Sequence, residues 1–167
     1  MTRLPIILAF AVALCASTAA LAAPSTNVAD LHAGTYALDK KHSSVFAKVM
    51  HLGVSVYTVR FNVFDASLAY DPAHLENSRV QASVDATSLD VGADYSRKFA
   101  DEFLDATKSP TITFVASQFQ RGQGNAGTMT GNLTLRGVTK PATFDVTFNG
   151  VGPGLFGGTV AGKSALR

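Results

Sequence analysis

The chain is predicted to be all-β: an antiparallel β-barrel carrying one short amphipathic helix at about residues 94–104. Three observations predict this. The stretches marked by Ile112/Phe114, Met129/Leu133/Leu135 and Phe144/Val146/Phe148 alternate apolar and polar residues with period two, so each turns one set of side chains to each face of a sheet. Apolar groups occupy both faces of Ser44 to Met50, where Val45, Ala47 and Val49 alternate against Phe46, Lys48 and Met50. Only one stretch has a helical period. Strands at this spacing suit a sandwich or an up-and-down barrel, and the two-faced apolar content favours the barrel.

The first element to be set aside is a secretory signal peptide. Arg3 carries the only charge ahead of an apolar run from Leu4 to Leu14, and Ala20-Leu21-Ala22 offers the small-x-small cleavage pattern. Cleavage after Ala22 avoids a Pro directly beyond the scissile bond. The run is too short to span a bilayer. Leu14 precedes Cys15 where a lipoprotein signal wants a small side chain, so lipidation is not expected. Cleavage removes Cys15, the only cysteine, and leaves a domain stabilised by packing without disulfides. The expected location is the periplasm, with no membrane span retained.

From Ala23 to Ala33 the chain is small and polar without periodicity, which predicts a loose leader ahead of a single domain over residues 34–167. Gly34 to Leu38 opens a first strand. Ser44 to Met50 follows as a second, and Gly53 breaks the segment His51 to Thr58 into a turn or a single helical turn. Arg60 to Tyr70 then predicts one long strand, reaching about 35 Å at about 3.3 Å per residue. Asp71-Pro72 turns the chain, and Ser78 to Leu89 alternates Val80, Ala82 and Val84 against Gln81, Ser83 and Asp85. Tyr95, Phe99 and Phe103 recur every four residues among charged neighbours, the stripe of the short helix. Pro110 ends that region. A Gly-rich loop and the turn Gly137 to Pro141 join the three remaining strands.

Composition excludes some functions. With 14 basic and 12 acidic side chains, and Arg3 lost on cleavage, the chain has no clustered basic face for nucleic acid. Lys40, Lys41 and Lys48 form the densest positive group and read as a solvated edge. Gly122, Gly124 and Gly127 match the dinucleotide fingerprint, but a strand follows where a helix is needed to receive the pyrophosphate, so the segment reads as a hairpin loop. His42 beside Ser43 and Ser44 lacks an oxyanion element. His32, His42, His51 and His74 show no zinc-site spacing, and no metal or cofactor is expected. Asp90, Asp94, Asp101 and Asp105 fit a solvated helix surround, and the sequon at Asn132 falls in mid-strand.

The run Asp39 to Gly53, the strand ending Ser88-Leu89-Asp90, the stretch Lys98 to Phe114 and the segment Gly131 to Pro141 together resemble the YceI-like family. The similarity runs from about Tyr36 to Gly162. It implies a secreted bacterial protein with a lipocalin-like barrel that binds polyisoprenoid lipids, polyprenyl chains or quinone tails, and catalyses no reaction. Two departures stand out. Ser109 occupies the place before Pro110 where the family usually has a basic or aromatic residue. Family members also continue past the position of Lys163 with a barrel-completing strand, so a chain ending at Arg167 is expected to have an incomplete barrel with unpaired edges, and to be less stable or to pair with another chain.

The side chains expected to line the lipid channel are Phe46, Phe61, Phe64, Val84, Phe114, Leu133, Phe144 and Phe148, with Phe99 and Phe103 as covers at an opening. Each also fits an ordinary core position. Two other classes stay open: a hydrolase or isomerase using His42 or His51 at a barrel mouth, and a structural envelope protein with a solid interior.

Overall fold

The computed structural model describes residues 23–154 and 157–166; the signal segment lies outside the described residues. Ten strands and one α-helix follow in order: β1 (Gly34–Ala37), β2 (Val45–His51), β3 (Ser55–Phe61), β4 (Phe64–Tyr70), β5 (Arg79–Asp85), β6 (Leu89–Asp90), α1 (Ser96–Leu104), β7 (Thr111–Arg121), β8 (Ala126–Leu135), β9 (Val138–Gly154) and β10 (Gly157–Leu166). Seven strands form one sheet in the order β1-β4-β5-β7-β8-β9-β10, and β2-β3-β6 form a second. Every strand pairing is antiparallel. The large sheet curls into a half-barrel. Among the described residues its edge strands, β1 and β10, do not pair with each other.

The long strand expected over Arg60–Tyr70 is two strands, and the break explains the second sheet. Asn62 donates its N–H to the Ser88 carbonyl at 3.1 Å, and the Val63 N–H goes to the Ser88 hydroxyl at 3.0 Å. The Val63 carbonyl accepts from Asp85 at 2.9 Å. Backbone groups at the break are thus satisfied by the turn after β5, which lets the chain leave one sheet and join the other without orphaned donors. Alternation alone does not register such a transfer, because apolar residues continue on both sides of it.

Residues 23–33, expected to be loose, dock on β9. Ser25 and Val151 exchange backbone hydrogen bonds of 2.7 and 2.8 Å, Asn125 donates its side-chain amide to Thr26 at 2.8 Å, and Leu31 is buried. The Asn27 side chain caps a short 3-10 turn over Val28–Asp30. The small, polar composition that reads as a loose leader supplies these caps and edge contacts.

Helix α1 begins at Ser96, whose hydroxyl donates to the Ala93 carbonyl at 2.9 Å and accepts from the Val91 N–H at 3.1 Å. Its buried residue is Ala100, and the stripe of aromatic residues winds away from that contact. A step of four residues overshoots one helical turn by about 40°. Phe99 therefore packs against the core, while Tyr95 and Phe103 are 49% and 61% exposed. The densest core lies at this corner, where Val59, Phe61, Ala86, Leu89, Val91, Ala100 and Ala106 join the second sheet and α1 to Val84 and Ile112 of the large one.

The turn expected over Gly137 to Pro141 contracts to Arg136 and Gly137, both with positive φ (53° and 71°), as a two-residue hairpin requires. Pro141 lies within β9 opposite Asn132, on a portion where β10 supplies no neighbour; that pairing starts at Phe144. A proline is tolerated there because no second ladder needs its missing N–H. The Gly122–Gly127 segment is a hairpin loop between β7 and β8, closed by Gly122 N–H to Ala126 at 2.8 Å.

At Ser117 the β7–β8 register shifts, and Gly131 faces the irregularity. A Cβ at Gly131 would lie 2.1 Å from the Val115 carbonyl oxygen and 2.5 Å from the Ala116 Cα. Backbone atoms cannot yield as a flexible side chain would. Gly131→Ala is expected to destabilise the fold by more than about 3 kcal/mol, read as a large fall in the denaturant midpoint. A midpoint within experimental error of wild type would contradict the close approach.

Candidate binding surface

The registers place one continuous set of side chains on the inner face of the large sheet. Phe64, Val84 and Ile112 form one row across β4, β5 and β7. Ala66, Ala82, Phe114 and Leu133 form the next, and Tyr36, Leu68, Val80, Ala116, Gly131 and Ala142 the third. Beyond the bulge, Phe119, Met129 and Phe144 stand side by side, with Val146 and Phe148 further along β9. Directly opposite residues on antiparallel strands share a face, so this is one apolar surface.

The opposite face is polar. Asp65, Ser67, Gln81 and Asn132 are exposed on it, and Thr130 and Thr143 hydrogen-bond across strands at 2.9 Å. On the inner face, Phe114, Ala116 and Phe148 are buried, while Phe64, Leu68, Phe119, Met129, Leu133 and Phe144 are only half-buried. Among the described residues the surface is an open trough rather than a closed core, covered by the corner core only at Val84 and Ile112. Its aromatic floor is centred on Phe114 and Phe144, whose ring centroids are 4.6 Å apart. These rings meet across β8, where Gly131 contributes no side chain.

Polar groups bound the trough. The Arg121 guanidinium donates to the Tyr70 hydroxyl at 3.3 Å at one end, and Lys140 follows Leu133 in its row. Concavities of about 420 and 430 Å³ at two ends of the sheet are lined largely from its polar face, the first by Lys40, Asp65 and Ser83 beside Phe64 and Val84, the second by Gln120, Thr128 and Asp145 beside Arg121 and Val146.

The residues predicted for the channel divide by location. Phe64, Val84, Phe114, Leu133, Phe144 and Phe148 share the inner face. Phe61 and Phe99 belong to the corner core instead, and Phe46 lies on the face of β2 turned away from that core, 57% exposed. Phe103 is in solvent, with its carbonyl accepting from Arg136 at 3.1 Å. Sequence reasoning missed Tyr36, Leu68, Ile112, Phe119 and Met129. Alternation counted from Phe114 puts Phe119 on the outer face; the register shift at Ser117 returns it to the inner one.

His42 Nδ1 lies 2.7 Å from Asp39 Oδ2, but the Ser43 hydroxyl donates to the Asp39 carbonyl at 2.6 Å rather than to the imidazole. His51 is exposed on β2 and His74 sits 3.7 Å from Asp71. Among the described residues no three His, Cys, Asp or Glu side chains gather as metal ligands. Lys40 pairs with Asp65 at 2.8 Å, so the basic group is in part neutralised.

A curled antiparallel sheet with an apolar inside and a polar outside is the architecture of a small lipocalin-like binding protein. Comparison with known proteins agrees. The YceI-like domain model matches residues 36–165, and the chain belongs to that family. A UPF0312 protein of Vibrio campbellii is 39% identical over 136 residues, covering 78% of this chain and 71% of its own. One from Pseudomonas putida is 36% identical over 157 residues, covering 92% and 79%. Among solved structures, BcnA of Burkholderia cenocepacia superposes with a TM-score of 0.61 at 29% identity, over 69% of this chain and 79% of that one. The Campylobacter jejuni YCEI protein has the same fold, with a TM-score of 0.56 at 23% identity over 79% and 97%.

Exposed carboxylates set the acid response. The His42 side chain and the Lys41 N–H hold Asp39 below the ordinary carboxylate range, and the His74 N–H and Asn77 amide do the same for Asp71. Lys40 lowers Asp65, the Gly92 N–H lowers Asp90, and the Thr107 hydroxyl lowers Asp101. Carboxylates with depressed native values bind protons more readily unfolded, so their stabilisation is present above the unfolded value and lost as pH falls through the folded ones. Denaturant stability is expected to be flat from neutrality to about pH 5 and to decline below about pH 4. A rise in stability over that acid range would contradict this.

Proposed function

We propose that the chain is a non-catalytic carrier that sequesters an isoprenoid lipid, a polyprenyl or quinone tail, along the inner face of the half-barrel. It works in the periplasm after cleavage near Ala22. The observation that supports this most is the continuity of the apolar inner face across β4, β5, β7, β8 and β9 while most of its large side chains stay half-exposed. A surface of that kind is stabilised when a ligand covers it. Each methylene removed from water contributes about 0.8 kcal/mol, so one five-carbon unit supplies a few kcal/mol before the costs of association. The family membership supports a binding role, and the nature of the inner face favours a flexible, greasy tail over a polar solute.

Phe144 and Leu133 lie on the trough and are only half-buried, so a carboxylate at either can remain hydrated and leave the fold intact. Phe144→Asp and Leu133→Asp are each expected to lower polyprenyl lipid extraction about tenfold or more, with far-UV circular dichroism unchanged. A folded variant that extracts the lipid as wild type does would refute the reading.

A further inference from the structure

Away from the trough, the β2–β3 hairpin ends in uncovered apolar side chains. Val49, Met50 and Val56 are 53%, 62% and 58% exposed, and Leu52 and Val54 reach 82% and 84%. Val49 stands opposite Tyr57 on one face of the hairpin, whereas Met50 stands opposite Val56 on the other. The tip is therefore apolar on both faces and at its end. A protein surface laid against it would cover one face; an apolar medium that surrounds the tip covers all of it.

Charge and backbone agree with such a medium. From Val45 to Phe61 there is no Asp or Glu, and Lys48 and Arg60 carry the charge. Leu52 adopts φ +53°, a left-handed conformation that a bulky side chain rarely takes. The turn itself requires that φ: Leu52 and Gly53 (+53° and +74°) form the same left-handed pair as Arg136 and Gly137, closed by the Val54 N–H on the His51 carbonyl at 3.1 Å. Leu52, exposed at the turn, gains no packing for its strain. Asparagine followed by Gly53 would satisfy the same backbone at less cost. The turn accounts for the backbone of Leu52 but not for an 82% exposed leucine side chain at its tip.

We propose that this tip inserts into the surface of an anionic phospholipid bilayer, with Leu52 and Val54 at the boundary of the acyl chains and Lys48 at the phosphates. This goes beyond the carrier reading and does not depend on it, because the test contains no isoprenoid. The intact protein is floated with vesicles of phosphatidylethanolamine and phosphatidylglycerol, or of phosphatidylcholine alone. Wild type is expected to float with the anionic vesicles and to bind the neutral ones about tenfold more weakly. Leu52→Asn is expected to reduce anionic vesicle binding about tenfold while its melting temperature equals or exceeds that of wild type. Lys48→Glu is expected to weaken binding to anionic vesicles only. The proposal is overturned if wild type stays behind with anionic vesicles, or if Leu52→Asn combined with Val54→Ser floats as before. Self-association of wild type that these substitutions abolish, without vesicle binding, would overturn it in favour of a second copy of the chain.

Discussion

The approach of Gly131 to the backbone of Val115 and Ala116 is the constraint on which the inner surface depends. It sets where β7 bulges, and the bulge decides which side chains of β7 face inward. Without it, Phe119 would turn to solvent and Gln118 would enter the apolar face. One glycine thus links local backbone geometry to the composition of a surface spanning several strands.

The rest of the molecule braces that surface from one end. Leaving the large sheet at Asn62 and Val63 lets β2, β3 and β6 form a second layer, and α1 closes the corner through Ala100 and Phe99. Fully buried packing is concentrated there. Along the trough Phe114, Ala116 and Phe148 are buried, but most of the other large side chains stay half-buried. Ser78 shows the same economy at a turn: its buried hydroxyl accepts the Asp71 N–H at 2.9 Å, leaving no orphaned donor.

Much of this was legible in the sequence. Alternation located β5, β7, β8 and β9 and placed Phe64, Val84, Phe114, Leu133, Phe144 and Phe148 on one surface. The fourfold spacing of aromatic residues located α1, although the drift of that spacing around the helix left Tyr95 and Phe103 in solvent. Three features escaped for physical reasons. A sheet transfer at Asn62 preserves apolar composition, a bulge at Ser117 inverts parity without changing it, and the leader is ordered by edge pairing with β9, a long-range contact with no local signature. Phe46 and Phe61 read as channel walls in the sequence, yet their strands, β2 and β3, belong to the second sheet.

On the proposed function a greasy tail completes the trough. Native mass spectrometry of the protein isolated from its own envelope, followed by organic extraction, tests it most directly. A one-to-one adduct is expected, its extracted mass and fragmentation those of an isoprenoid. A protein mass without adduct, unchanged after incubation with polyprenyl lipid and quinone, would contradict it.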